Sequence, residues 1–482
     1  MNLLIRTMTV AAIAISSADI PANAAGNAAP AEGCPAISVS RRDPRYFADE
    51  TGRTWVPVGC NICFDRTARP SAEARRLYDG WMTTFAENGG NFMRVWISVP
   101  FADVMPEKAG VFSDEATENL KWLVRRAEAL GMRLKFTFEN FRRPGAQTDA
   151  DPARGVISFR KAAYSPYAKT MRDVFTDAKC FETYLAKARH VAEAVGKSRA
   201  LIAVELWNEV NSVDGADLAA IGAWSERMLA EMKLLFPGKM TLQNVGSFSE
   251  TSGYVIYDWL AGLEGNAYMQ AHRYLDPGAP MDVCRAPMDI LCADAIRELR
   301  DRRGDVPAVL AEVGAVERHH VIYSHLYALD SAGTLLHDEI FAPFFAGAAG
   351  CGQPWHWDHQ YISQHGLWHH FRRFARAIDG LDPAAEHFRP FHTETHRLRL
   401  WGLRGERTTV VWLRDKRNTW ESEIERGRAP EPVAGEKMPD CLRRASYDWY
   451  LPWEDRSFTA DTPAIPTFLR SAVVRFPTVV SR

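Results

Sequence analysis

The chain has 482 residues, 46% of them hydrophobic, with 58 Lys and Arg against 60 Asp and Glu, a formal charge of −2. That length allows about two to four domains, or one large barrel with an appendage, and the apolar share suffices for a substantial core. Balanced charge without a long basic run excludes a nucleic-acid footprint, and ordinary Gly and Pro contents exclude collagen-like and disordered classes.

The N-terminus reads as an export signal. Arg6 supplies a short positive region, Met8 to Ile15 is apolar but too short to span a bilayer, and Ala22-Asn23-Ala24 is a small-x-small cleavage site before Ala25. The bland alternative is a weakly helical or disordered end. Residues 1–24 are therefore expected to be a signal peptide cut after Ala24, and 25–53 a lead-in. Ala31-Glu32-Gly33 before Cys34 lacks the apolar residue of a lipoprotein box, and no later segment is apolar and long enough to span a membrane. The mature protein is expected to be soluble and secreted or periplasmic. Its eight cysteines are compatible with disulfides there. Cys284 and Cys292, flanking a loop-like stretch with Pro287, form the best local pair. Cys60 and Cys63 make a lone C-x-x-C without the second pair a zinc ribbon needs; structural thiols are the better reading than a redox pair.

Strand-like and helix-like segments then alternate. The expected strands are Trp55 to Asn61, Phe92 to Ile97, Arg133 to Phe138, Leu201 to Leu206, Met240 to Val245, Ala267 to Ala271, Ala308 to Ala311, and one near Gly352 to Trp357. Helices are expected between them: Ser71 to Asn88 (closed by Gly89-Gly90), Asp114 to Leu130, Phe181 to Val195, Asp217 to Phe236, Val255 to Leu263, Met288 to Arg303 and around His337 to Ala346. A polar insertion, Arg142 to Ala178, interrupts the series, and a helix Leu367 to Ile378 closes it. Eight such units predict an α/β fold, a (β/α)8 TIM barrel over 54–385. A doubly wound sheet would carry a glycine-rich loop after strand one, which Gly59-Cys60-Asn61-Ile62-Cys63 does not supply. Past a junction at Asp379 to Pro390, period-two alternation in His396 to Leu403, with short strands at Thr408 to Leu413, Tyr447 to Leu451 and Ser471 to Phe476, predicts a small all-β, sandwich-like domain over 390–482.

The chemistry sits at predicted strand tips. The apolar run Leu201 to Leu206 ends in Trp207-Asn208-Glu209, and Ala308 to Ala311 ends in Glu312. In a barrel all such tips open onto one face. Two carboxyl groups roughly 5 Å apart are what a retaining glycosidase needs, one as proton donor and one as nucleophile. A lone strand-tip Glu is more often an ion-pair partner or a cap, but other tips carry supporting residues. Arg94, inside the hydrophobic Phe92-Met93-Arg94-Val95-Trp96, must be paired, and Glu312 is the expected partner, kept ionised while Glu209 stays protonated. Asn208 offers a donor and an acceptor to a sugar hydroxyl. His272 and Tyr274 close strand six, where the tyrosine has reach to a carboxylate. Trp355 and Trp357 bracket the end of strand eight as stacking faces for a sugar ring.

Together, Phe92-Met93-Arg94-Val95, Trp207-Asn208-Glu209, His272-Arg273-Tyr274, Leu310-Ala311-Glu312-Val313-Gly314 and Trp355-His356-Trp357 resemble the clan A retaining glycoside hydrolases, most of all the cellulase-like family 5. The resemblance implies Glu209 as acid/base, Glu312 as nucleophile, and Arg94, Asn208, His272, Tyr274, Trp355 and Trp357 as substrate-binding residues. Two positions depart from the family pattern: Val210 follows Glu209 where a Pro is usual, and Glu139-Asn140 stands where strand three usually ends near a His.

The expected activity is hydrolysis of a β-linked polysaccharide or oligosaccharide, of glucan or mannan type, by double displacement. No cofactor or metal is expected, no nucleic acid and no membrane span, and the oligomeric state is not fixed by the sequence. His319-His320, His325, His356, His359, His365 and His369-His370 lack an H-E-x-x-H pattern and read as scattered structural or surface histidines. Two other classes remain: a carbohydrate-binding barrel that has lost turnover, and a metal-dependent barrel hydrolase.

Overall fold

The structure, a computed structural model, describes residues 34–65, 69–144 and 161–479. The expected signal peptide and most of the lead-in lie outside those residues.

Parallel strands β1 (Gly59–Cys60), β2 (Phe92–Trp96), β3 (Arg133–Glu139), β4 (Leu201–Trp207) and β5 (Met240–Leu242) form one sheet in that order, and β6 (Met269–Leu275) pairs in parallel with β7 (Ala308–Ala315). The ring closes at two places. Ala267 N donates to Thr241 O at 3.0 Å and Phe248 N to His272 O at 2.9 Å, joining β5 to β6. The extended segment 351–355 is the eighth stave: Gln353 N donates to Leu310 O at 2.9 Å on one side, and Asn61 N to Pro354 O at 3.1 Å on the other. The fold is thus the expected α/β barrel. β3, β4, β6 and β7 are buried along their whole length, as strands covered by helices on one face and filled with side chains on the other must be.

The surrounding helices follow local rules. Asp114–Ala129 starts where the Ser113 hydroxyl accepts from Ala116 N at 3.2 Å, buries Leu120, Leu123, Val124 and Ala127 along one stripe, and ends before Gly131 at φ +68°. Boundaries moved in places. Expected strand one divides: Thr54–Trp55 joins a small antiparallel sheet with Ile37–Val39 and Phe47–Asp49, and only Gly59–Cys60 enters the barrel. Pro57, which has no N–H, lies between the two parts.

The C-terminal appendage is one six-stranded antiparallel sheet, ordered Arg389–Glu394, Leu398–Arg404, Thr408–Asp415, Ser471–Pro477, Tyr447–Leu451, Arg456–Ala460. Alternation assigns its faces: Val410 and Trp412 join the barrel's core, while Val411 and Leu413 pack with Val433, Met438 and Phe468 in a smaller one. Its outer face is thus covered by irregular segments instead of a second sheet. Buried ion pairs fix the docking: Arg399 grips Asp289 at both oxygens, and Arg414 Nε donates to Asp338 at 2.8 Å.

All eight cysteines are free thiols. The expected Cys284–Cys292 pair is corrected: Cys284 is buried in the turn Asp282–Arg285, and Cys292 is buried separately on the helix Met288–Arg302. Burial pushes the Cys60 and Cys63 thiols up, which makes them inert structural groups. No helix among the described residues is long and apolar enough to cross a membrane.

Candidate active site

Glu209 sits two residues past β4 in the left-handed region, at φ 50° and ψ 56°. For a residue with a Cβ this costs about 1–3 kcal/mol and needs support. Asn244 Oδ1 accepts from Glu209 N at 2.8 Å, and Arg142 Nη1 donates to the carbonyls of Asn208 and Glu209 at 3.1 and 2.6 Å. Arg142 Nη2 also reaches Glu209 Oε2 at 2.9 Å.

Glu312 reaches the barrel interior by a different device. Leu310 pairs with Ala271, but the next pair is Glu312 with His272, so Ala311 is an extra residue in β7. A bulge of this kind reverses the alternation. Without it Glu312 would share the face of Leu310; with it, Glu312 shares the interior face of His272. Asn61 Nδ2 donates to the Ala311 carbonyl at 2.8 Å, satisfying a group the bulge leaves over.

His272 joins the two acids. Its Nδ1 lies 2.8 Å from Glu209 Oε1 and 3.2 Å from Glu312 Oε2. The tautomer follows from Asn244: its Oδ1 is committed to Glu209 N, so its Nδ2 donates to His272 Nε2 at 2.9 Å and the ring proton sits on Nδ1. Glu209, His272 and Glu312 place one donor atom each within 4.8 Å of one another, the group of that kind among the described residues that a cation would fit. Asn244 makes His272 Nδ1 a hydrogen-bond donor, however, which is the wrong state for a ligand. The histidine-rich stretches contribute to no such group. His356 is buried beside the Tyr327 hydroxyl at 2.9 Å, His325 bonds Glu317, and His359 is exposed.

Arg94 Nη1 donates to Glu312, Arg94 Nη2 donates to Asn208 Oδ1 at 2.8 Å, and the Tyr274 hydroxyl donates to Glu312 Oε2 at 2.7 Å. The expectation that Glu209 stays protonated is corrected. Burial raises the Glu209 carboxyl, but the hydrogen bond from His272 and the Arg142 charge outweigh it and hold the group well below the usual carboxylate range. Glu209 is therefore itself a compensated acid.

Of the two tryptophans, Trp357 is fully buried against Phe64, Trp81 and Trp355, with ring centroids 5.3, 6.2 and 5.6 Å away, so it has no face for a sugar. Trp355 is half-buried and packs on Trp96 at 5.2 Å. Beside Glu209 and Tyr274 opens a pocket of about 410 Å³ lined by Ser247, Ser249, Glu250, Asp276, His319 and His320. Residues without an expected role, Asn61, Arg142 and Asn244, thus hold the pair in place. Asn61 and Asn244 lay at or within ends of expected strands, the one sequence signal that could have found them.

No family profile matches the chain, and no curated protein does. Solved structures do. A protein titled "Glycoside hydrolase" aligns over 92% of this chain and 96% of its own, at 11% identity and TM-score 0.54. An endo-β-1,4-mannanase from Thermotoga petrophila aligns over 88% and 91%, at 14% identity and TM-score 0.47. An exo-β-1,4-mannosidase from Opitutaceae bacterium strain TAV5 aligns over 69% and 61%, at 18% identity and TM-score 0.49. At such identities, the first of these likenesses establishes a shared fold over nearly the whole of both chains.

Proposed function

We propose that this barrel is a retaining glycoside hydrolase of the clan A type, most like family 5, acting on a β-linked polysaccharide or oligosaccharide of glucan or mannan type. The observation that carries the reading is the pair Glu209 and Glu312, whose facing oxygens lie within 4.8 Å across His272 at the barrel mouth. That spacing suits a nucleophile and an acid on one glycosidic bond, and leaves too little room for the water an inverting enzyme places between them.

Glu312 attacks the anomeric carbon while Glu209 gives its proton to the departing oxygen, forming a glycosyl ester. Water, deprotonated by Glu209, then displaces Glu312 with a second inversion. Arg94 and Tyr274 hold the attacking carboxylate. Because Arg94 occupies the Asn208 side-chain oxygen, Asn208 offers a sugar its amide donor. Since His272 and Arg142 favour the ionised form of Glu209, the reactive form takes up a proton before the first step. We also read residues 1–24 as the export signal, so that the mature chain begins at Ala25.

The test is a panel of β-glucans and β-mannans with product sizes followed, and a 2-fluoro glycoside of any sugar that is cleaved. Peptide mass mapping should find the trapped sugar on Glu312. A label on Glu209, or none despite turnover, would overturn the assignment.

A further inference from the structure

A glutamate stands in the middle of apolar β4, four residues before Glu209. Glu205 is fully buried, where an ionised carboxyl is tolerated only with its lone pairs taken. All are. Oε1 accepts from Arg94 Nε at 3.0 Å, from Arg94 Nη2 and from Thr137 Oγ1 at 2.8 Å; Oε2 accepts from Gln270 Nε2 at 2.7 Å and pairs with Lys135 Nζ at 3.0 Å. Lys135 Nζ also donates to Gln270 Oε1 at 2.7 Å.

The guanidinium of Arg94 is equally committed. Its Nε–Nη2 edge faces Glu205, which leaves the second Nη2 proton for Asn208 Oδ1 and Nη1 for Glu312 and, at 3.4 Å, Asn61 Oδ1. A planar fork gripped along one edge can aim the rest only one way. The layer is also charge-balanced: Arg94 and Lys135 are the cations, Glu205 and Glu312 the anions.

We propose that Glu205 is a positioning residue that aims Arg94 at Glu312 and Asn208 together, with Lys135 as its counter-charge. The inference rests on the reading of Glu312 as nucleophile. Because both contacts to the guanidinium edge fall on Glu205 Oε1, the substitution that releases the edge is Glu205→Met, which keeps the length of the side chain and has no acceptor. The guanidinium would then lose its grip. It would also face Glu312 with one fewer compensating anion, favouring the ionised nucleophile.

The experiment compares wild type, Glu205→Met and the double variant Glu205→Met/Lys135→Met, by crystallography and by pH–rate profile. In Glu205→Met we expect kcat to fall at least about tenfold with KM within about threefold, and the limb set by Glu312 to move to lower pH. The double variant should bring the limb back toward wild type, because the layer is neutral again, but not restore kcat, because the edge is still not held. It also serves if Glu205→Met fails to fold, since it contains no uncompensated cation. In either crystal structure Arg94 should have left Asn208. Arg94 unmoved, or wild-type kcat in the double variant, would overturn the proposal. The crystal structures need no substrate: if wild type cleaves no β-glycoside, the proposed function falls while the orientation of Arg94 still decides this inference.

Discussion

At the scale of single residues, the imidazole of His272 bonds Glu209 and lies 3.2 Å from Glu312, and Arg142 bonds Glu209 as well. Different roles for the two acids give different failures. Glu312→Ala should lower turnover by about 10⁴-fold or more on every substrate. Glu209→Ala should cost about 10²–10⁴-fold on natural linkages, less on aryl glycosides whose leaving group needs no proton, and azide should restore rate as a glycosyl azide. Equal losses on both substrate types without azide rescue would contradict the assignment. Arg142 supplies a pH prediction. Its charge and hydrogen bond help hold the Glu209 carboxyl low, so Arg142→Met should let that group keep its proton to higher pH and move the limb of the rate profile that Glu209 sets upward. An unmoved limb would mean that Arg142 does not act on the acid. The two glutamates and Arg94 were legible because each interrupts or ends an apolar run. Arg142 was not, because its partner is chosen by a loop path that local sequence does not encode. Trp357 was misread because an aromatic residue at a strand end has the same sequence signature as core or as platform.

At the scale of elements, β2, β3 and β4 were read nearly to their ends, since continuous apolar runs bounded by polar residues mark buried strands. The expected strands six and seven stopped too early, at Ala271 and Ala311, where β6 and β7 run on to Leu275 and Ala315. His272, Arg273, Tyr274 and Glu312 are polar by composition yet lie inside these strands, as functional residues break the pattern that identifies a strand. The bulge at Ala311 was invisible, because alternation has no meaning in strands buried on both faces. Its dependence on Asn61 is testable. Asn61→Ala leaves the Ala311 carbonyl without its side-chain donor, while the Gln353 carbonyl keeps its bond from Val313 N, at about 1–3 kcal/mol for a group left unsatisfied. Urea unfolding should show that loss, and kcat should fall by more than tenfold, roughly, because Glu312 loses its support. Full activity in the variant would mean that the bulge holds itself.

At the scale of the whole molecule, the barrel and the six-stranded sheet share one core, and buried Arg–Asp pairs lock them together. Sequence texture gave the existence and start of the sheet, but not which face docks, because both faces alternate alike. The helix Thr334–Phe345, packed beneath that sheet, carries a pH-sensitive group. Burial, reinforced by the Asp330 and Asp338 charges, pushes the Glu339 carboxyl up to about 8. The folded state therefore keeps a proton that the unfolded chain releases near its ordinary value of about 4.3, so this group's contribution to stability falls as pH rises from there to about 8. Glu339→Gln should flatten that decline and be more stable than wild type at pH 8, by an amount of the order of several kcal/mol; identical pH dependence in urea unfolding would contradict it. What joins all scales is the claim that β4 and the bulged β7 bring two carboxyl groups close enough for double displacement. The most direct measurement follows the anomeric proton of the first-formed product by NMR, before mutarotation. The account predicts that the β-anomer appears first and the α-anomer later; initial release of the α-anomer would show inversion and contradict it.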